Sequence, residues 1–234
     1  MDAMDVLTFQ ETAGGSPRRS PQQEPDLNRP GEPMFNAPWQ AVVLATVIVG
    51  GYAVQSQAAL FTFGFSPVAL AQGRWYTLVT ALFLHGGWPH ALMNAAFGLA
   101  FASPVARYFG QRPAGLIGFL LLYLASGVFG NLGYAGFHPS DANELVGASG
   151  AVAGLMGAAS RLIAGHGRLG PMFSRPVLAM GGAWFAINLL IALVGSSLIP
   201  GTGGAPVAWE AHIAGFLAGV LIVGPIARLA GRVR

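Results

Sequence analysis

From residue 39 to the C-terminus the chain carries only three acidic residues, Asp141, Glu144 and Glu210, and it has no lysine anywhere. Soluble domains use roughly 25% charged residues, whereas this chain has 9% charged and 53% hydrophobic residues. A water-facing surface cannot be covered with so few charges, so the solvent for most of this chain is a lipid bilayer. A helix needs about 20 predominantly apolar residues to span one. Six stretches qualify: 39–61, 87–106, 114–135, 145–164, 177–199 and 207–227. The expected fold is an all-α membrane protein, a bundle of six transmembrane helices over residues 39–230.

Arginine placement gives the orientation. Six crossings put residues 1–38, the connections after spans two and four, and the C-terminus on one side. That side then holds every arginine except Arg74, while the other has Arg74 with all three acidic residues. Short cytoplasmic segments carry the excess of basic residues, so both termini are expected in the cytoplasm. The scattered arginines form no single basic face, which argues against nucleic-acid binding. Residues 1–38 differ in kind, with six prolines, six acidic residues and three arginines. Such a stretch buries too little apolar area to offset its ordering entropy and reads as a flexible cytoplasmic tail. It has no charged n-region running into a short apolar core, so it is no signal peptide.

With that topology, spans two, four and six run from the outer face inward, and the next arginine becomes a depth gauge. His90 and Asn94 precede Arg107, Ser149 precedes Arg161, and His212 precedes Arg228, by 12 to 17 residues. At about 1.5 Å rise per residue all four lie roughly 18–26 Å above the arginine edge. One layer beneath the outer surface therefore holds a serine, two histidines and an asparagine. Polar groups kept inside the bilayer are functional candidates. Glycines point to how they meet. Gly147, Gly150, Gly154 and Gly157 form a bare stripe on span four, and Gly215 and Gly219 follow His212 on span six. Small residues let helices approach closely in lipid, so a contact between these stripes carries His212 toward Ser149.

A serine hydroxyl needs a neighbouring base to become a nucleophile, and imidazole titrates near neutrality. Ser149 and His212 are read as nucleophile and base. No orienting carboxylate is in view: Asp141 and Glu144 sit in the loop before span four, and Glu210 points away from His212 on the same helix. A dyad rather than a triad is expected. Acyl transfer also needs donors for the oxyanion. His90 and Asn94, spaced i, i+4, share one face of span two, and the Ser149 N–H at a helix start is free to join them. His85 is assigned a structural role, bonding loop backbone. His138 and His166 read as solvated loop residues, and Asn188, Ser196 and Ser197 as glue between helices. The chain has no cysteine, which excludes disulfides and thiolate chemistry. Without a His-Glu-x-x-His pattern or acidic ligands in the spans, metal hydrolysis is not expected.

The combination Phe83-Leu84-His85-Gly86-Gly87-Trp88, His90-Ala91-Leu92-Met93-Asn94, Gly147-Ala148-Ser149-Gly150 and Ala211-His212-Ile213-Ala214-Gly215 with Gly219 resembles the rhomboid intramembrane serine proteases. The resemblance runs along nearly the whole chain from residue 39. It implies Ser149 as nucleophile and His212 as base, with an oxyanion hole of His90, Asn94 and the Ser149 amide. It further implies cleavage in or near transmembrane segments of other membrane proteins, small residues at the cut, no cofactor, and a bacterial cytoplasmic membrane as location. Oligomeric state is left open. One departure stands out: many rhomboids place an aromatic residue four positions after the serine, stacked on the histidine, and this chain has Ala153. That departure keeps a second class open, a rhomboid-like protein that binds transmembrane helices without cutting them. A transporter is disfavoured, since neither midplane charges nor a repeat between halves is present.

Overall fold

Proline fixes φ and costs nothing in a first helical turn, and three of the long helices carry one at their first or second residue. These are α5 (Trp88–Phe109), α6 (Pro113–Phe137) and α8 (Arg175–Val194). Between α5 and α6 the chain reverses at Gly110, whose φ of 78° is reached at no steric cost only by glycine. The computed structural model describes residues 36–195 and 207–232. The expected tail before residue 36, together with Ser196, Ser197 and Arg234, lies outside them. The described residues are helical throughout, apart from loops and two isolated β-bridges.

Span one is not one helix. The apolar run 39–61 divides into α1 (Trp39–Ala53) and α2 (Gln57–Phe63), bent by 116°. Two polar residues at the break account for the bend. Ser56 caps α2 by accepting the Ala59 N–H at 3.3 Å. Gln55 turns inward, donating to the His85 carbonyl at 2.8 Å and accepting the His85 N–H at 2.9 Å. The loop that follows is itself folded. It contains α3 (Pro67–Ala71), capped by Ser66, and α4 (Thr77–Thr80), which tightens into a 3-10 turn at Ala81–Phe83. Phe65 and Leu145 exchange backbone hydrogen bonds at 3.0 and 2.6 Å, tying this loop to the segment that leads into α7 (Ser149–Ala164).

Among the described residues α6, α8 and α9 (Trp209–Leu229) are each long and apolar enough to cross a membrane, and α1 with α2 would make a fourth as a bent pair. The shorter α7 sits at the centre, packed by α5, α6 and α9. Every residue of α7 from Gly150 to Leu162 is buried. Glycine makes this possible. A Cβ at Gly215 would run into the Gly150 carbonyl, and one at Gly219 into the Gly154 carbonyl. The backbones of α7 and α9 are therefore in contact along the stripes read from the sequence. On the α6 side, a Cβ at Gly154 would meet Ser126. The peripheral α8 packs on α7 and α9 and buries only Val177 and Asn188.

Candidate active site

Ser149 is the first residue of α7, and its N–H has no helical acceptor because the ladder starts with Val152 N–H to the Ala148 carbonyl. The α7–α9 glycine contact sets His212 beside it, with His212 Nε2 2.8 Å from Ser149 Oγ. The other ring nitrogen has a partner too. Asn188 Oδ1 lies 2.7 Å from His212 Nδ1. The orientation of that amide follows from its second bond, in which Asn188 Nδ2 donates to the Trp184 carbonyl at 2.8 Å. A carbonyl can only accept, so Oδ1 must face the ring and Nδ1 must carry the proton. Nε2 is left with its lone pair directed at the serine hydroxyl.

Asn188 therefore completes a hydroxyl–imidazole–amide chain where the sequence suggests two members. The sequence reading makes it glue between helices rather than a site residue, whereas it bonds the imidazole and lines a cavity with Ser149. Its signal was present in the sequence. Asn188 is 13 residues beyond Arg175, about 20 Å along a helix, which is the depth of the other four polar residues. No carboxylate takes that place. Glu210, buried, turns to His138, whose Nε2 is 2.7 Å from Glu210 Oε1. Asp141 accepts from the Tyr134 hydroxyl and from the Asn143 N–H. His138 is thus paired with Glu210 rather than simply solvated.

His90 and Asn94 line the same cavity as Ser149 and His212, a space of about 530 Å³. The Gly86 N–H points to His90 Nδ1 at 3.4 Å, so Nε2 is the nitrogen that carries hydrogen. That edge of the ring faces Gly147. A Cβ there would lie 2.8 Å from His90 Nε2 and Cε1, and Gly147 also holds a φ of 132°, so both space and backbone require glycine. Asn94 Nδ2 donates one hydrogen to the His90 carbonyl at 3.0 Å, which leaves its second for the cavity. His85 behaves differently from the sequence reading. Its backbone is held by Gln55, while its ring bonds no described residue and packs edge-on against His90 at 5.1 Å. His166 stands apart, in the turn after α7.

A model of the Rhomboid domain matches residues 72–228. The chain belongs to the rhomboid family. It is 35% identical over 123 residues to the putative rhomboid protease YdcA of Bacillus subtilis, covering 53% of this chain and 52% of that protein. It is 36% identical over 89 residues to the rhomboid protease GluP of the same organism, covering 38% of this chain and 16% of that one. RHOMBOID-like protein 9, chloroplastic, of Arabidopsis thaliana is 37% identical over 86 residues, covering 37% and 18%. The matched region spans about half the length of YdcA and less than a fifth of the other two. Family and apolar helices together make this an integral membrane protein.

As a rhomboid, the chain lacks the aromatic residue four positions after the serine, and the structure supplies a ring from elsewhere. Trp184, one turn before Asn188 on α8, lies with its centroid 5.7 Å from that of His212 at an interplanar angle of 36°. Ala153 is buried and leaves room for it beside the cavity. Two residues of α8, four apart, thus hold the imidazole by its edge and by its face.

Proposed function

We propose that this rhomboid is a serine endopeptidase that hydrolyses peptide bonds in or near transmembrane segments of other membrane proteins. The observation that carries the reading is the Ser149 Oγ–His212 Nε2 contact of 2.8 Å with the ring fixed from behind by Asn188. Ser149 attacks the scissile carbonyl while its proton passes to His212 Nε2. The oxyanion that forms takes hydrogen bonds from His90 Nε2, the free amide hydrogen of Asn94 and the Ser149 N–H. His212 then gives its proton to the departing amine, leaving an acyl-serine. Water attacks that ester with His212 accepting its proton, and Ser149 is regenerated. No cofactor enters these steps.

The bilayer sets the remaining terms. α7 has 16 residues, about 24 Å, against a hydrocarbon core of about 30 Å. A helix that short starts below the outer surface, with the Glu144–Gly147 segment and the cavity above it. Hydrolytic water enters there, since polar groups at that depth are tolerated where they line water. Lower down the cavity is apolar, walled by Phe97, Met156 and Met180, and suits a hydrophobic segment with a small residue at the cut. We place the protein in a bacterial cytoplasmic membrane with six crossings, the arginine-rich end and both termini inside.

Ser149→Ala and His212→Ala should each abolish cleavage of a transmembrane reporter while the folded protein stays abundant. A fluorophosphonate probe should label wild type at Ser149 and neither variant. Unchanged cleavage in either variant ends the hydrolase reading. Absence of labelling in wild type would instead favour a binder of transmembrane helices. The feature that kept that alternative open, Ala153, is offset by the Trp184 ring.

A further inference from the structure

At the end of the bundle opposite Ser149 is a second cavity, of about 370 Å³, between the last turns of α5 and α7. Arg107, Tyr108 and Arg232 supply its polar wall, and Pro104, Leu162 and Ile163 its apolar one. The Tyr108 hydroxyl is buried and bonds no described residue. The Arg232 guanidinium lies over the Tyr108 ring, 5.7 Å from its centroid. Near the phenol is Arg161, buried, with Nε donating to the Gly170 carbonyl at 2.9 Å and Nη1 to the Val220 carbonyl at 3.0 Å. The carboxylates of the described residues, Asp141, Glu144 and Glu210, all belong to the other end.

This arrangement combines a fixed positive field, a guanidinium fork and an unused hydroxyl donor with a greasy wall. The fork matches phosphate oxygens in geometry and charge. The wall opens outward through Ile163, which is half exposed on the side where the apolar helices end. A soluble anion would have no use for that wall, whereas the acyl chains of a lipid would cover it. We infer that the pocket binds the phosphate of an anionic phospholipid. Arg232 faces its oxygens, the Tyr108 hydroxyl donates to one of them, and the acyl chains run along Ile163, Leu162 and Pro104. Basic pockets between helices at this level are where anionic headgroups dock.

Native mass spectrometry of the full chain, released from detergent with equal phosphatidylglycerol and phosphatidylcholine, tests this. Phosphatidylglycerol should be retained in excess. Arg232→Gln should cut that excess about fivefold, the contribution of one near-surface arginine, and Tyr108→Phe should cut it severalfold. Both variants should keep fluorophosphonate labelling at Ser149, which reports an intact fold independently of the lipid. Arg175→Gln, at the same end but outside the pocket, should change nothing. Equal retention of the two lipids overturns the site, as does an excess that survives both pocket variants. An equal loss in Arg175→Gln would reduce it to general surface charge. Displacement of phosphatidylglycerol by an equal concentration of inorganic phosphate would reassign the pocket to a soluble anion and overturn the headgroup.

Discussion

The helix that carries Ser149, α7, and the helix that carries the partner of His212, α8, are held in opposite ways. α7 is buried from Gly150 to Leu162, its backbone pressed against α9 through paired glycines. α8 is longer and more apolar, yet it buries only Val177 and Asn188. In lipid there is no hydrophobic gain from bringing two apolar helices together, so association rests on close packing and interhelical hydrogen bonds. α7 uses the first means and α8 the second. Ser149 thus sits on the more deeply buried of these two helices, and Asn188, which bonds His212, on the less buried one.

The largest effect should come from α7–α9 packing. Gly219→Val puts side-chain carbon into the Gly154 carbonyl, a backbone atom that cannot step aside, and overpacking costs about 1–3 kcal/mol, occasionally more. Thermal unfolding in detergent should show a large loss of folded protein. The matching change on α8, Leu190→Ala at a position 61% exposed, should stay within about 0.5 kcal/mol. Comparable losses from both would erase the contrast between the helices.

Next in size is the hydrogen bond from α8. Asn188→Ala removes the acceptor of the Nδ1 proton, freeing the ring to turn and to change tautomer. Misplacement of a catalytic group by about 1 Å costs roughly 10²-fold, and that is the expected fall in kcat for a transmembrane reporter, with KM little changed. Asn188→Asp restores an acceptor at the same place and should recover part of the activity. A purely structural role predicts the reverse, because a carboxylate disturbs a buried helix contact more than alanine does. Trp184→Leu keeps the bond and removes only the ring face. Aromatic contacts contribute about 0.5–1.5 kcal/mol beyond buried area, so kcat should fall by about tenfold at most. A fall as deep as that of Asn188→Ala would mean that the ring, not the amide, holds His212.

These contrasts also mark what could be read without coordinates. The site layer was legible because depth in a bilayer is linear in sequence: counting from Arg107, Arg161 and Arg228 puts His90, Asn94, Ser149 and His212 at one level. The α7–α9 contact was legible because only small residues tolerate it, and Gly150, Gly154, Gly215 and Gly219 repeat at helical spacing. Asn188 obeys the same depth rule, but a lone amide in an apolar helix has many uses, and which one applies depends on how α8 is rotated. The break at Gln55 was hidden for a different reason. Its cause is a pair of hydrogen bonds to His85, 30 residues away, and hydropathy carries no trace of a bond between distant loops. Tyr108 and Arg232 lie at the ends of different helices, so their cavity is likewise a product of packing.

The smallest effect concerns the loop that roofs the site. Tyr134 and Asn143 hold the Asp141 carboxyl below its ordinary range by donating to it, with the Tyr134 hydroxyl the stronger influence. Its depressed pKa means that the folded loop binds its proton less readily than the unfolded chain does. The stabilisation is therefore complete above the ordinary carboxylate range, near pH 4, and is lost as pH falls through the lower folded value. A spin label at Ala142 should be immobile at neutral pH and gain mobility below about pH 4. Asp141→Asn should show an intermediate mobility that no longer changes with pH, since an amide still accepts from Tyr134 but cannot ionise. Because α7 is anchored by glycine packing and not by this loop, fluorophosphonate labelling of Asp141→Asn at neutral pH should stay close to that of wild type. A drop as large as that of Asn188→Ala would show that the position of Ser149 depends on its roof as much as on its helix contacts.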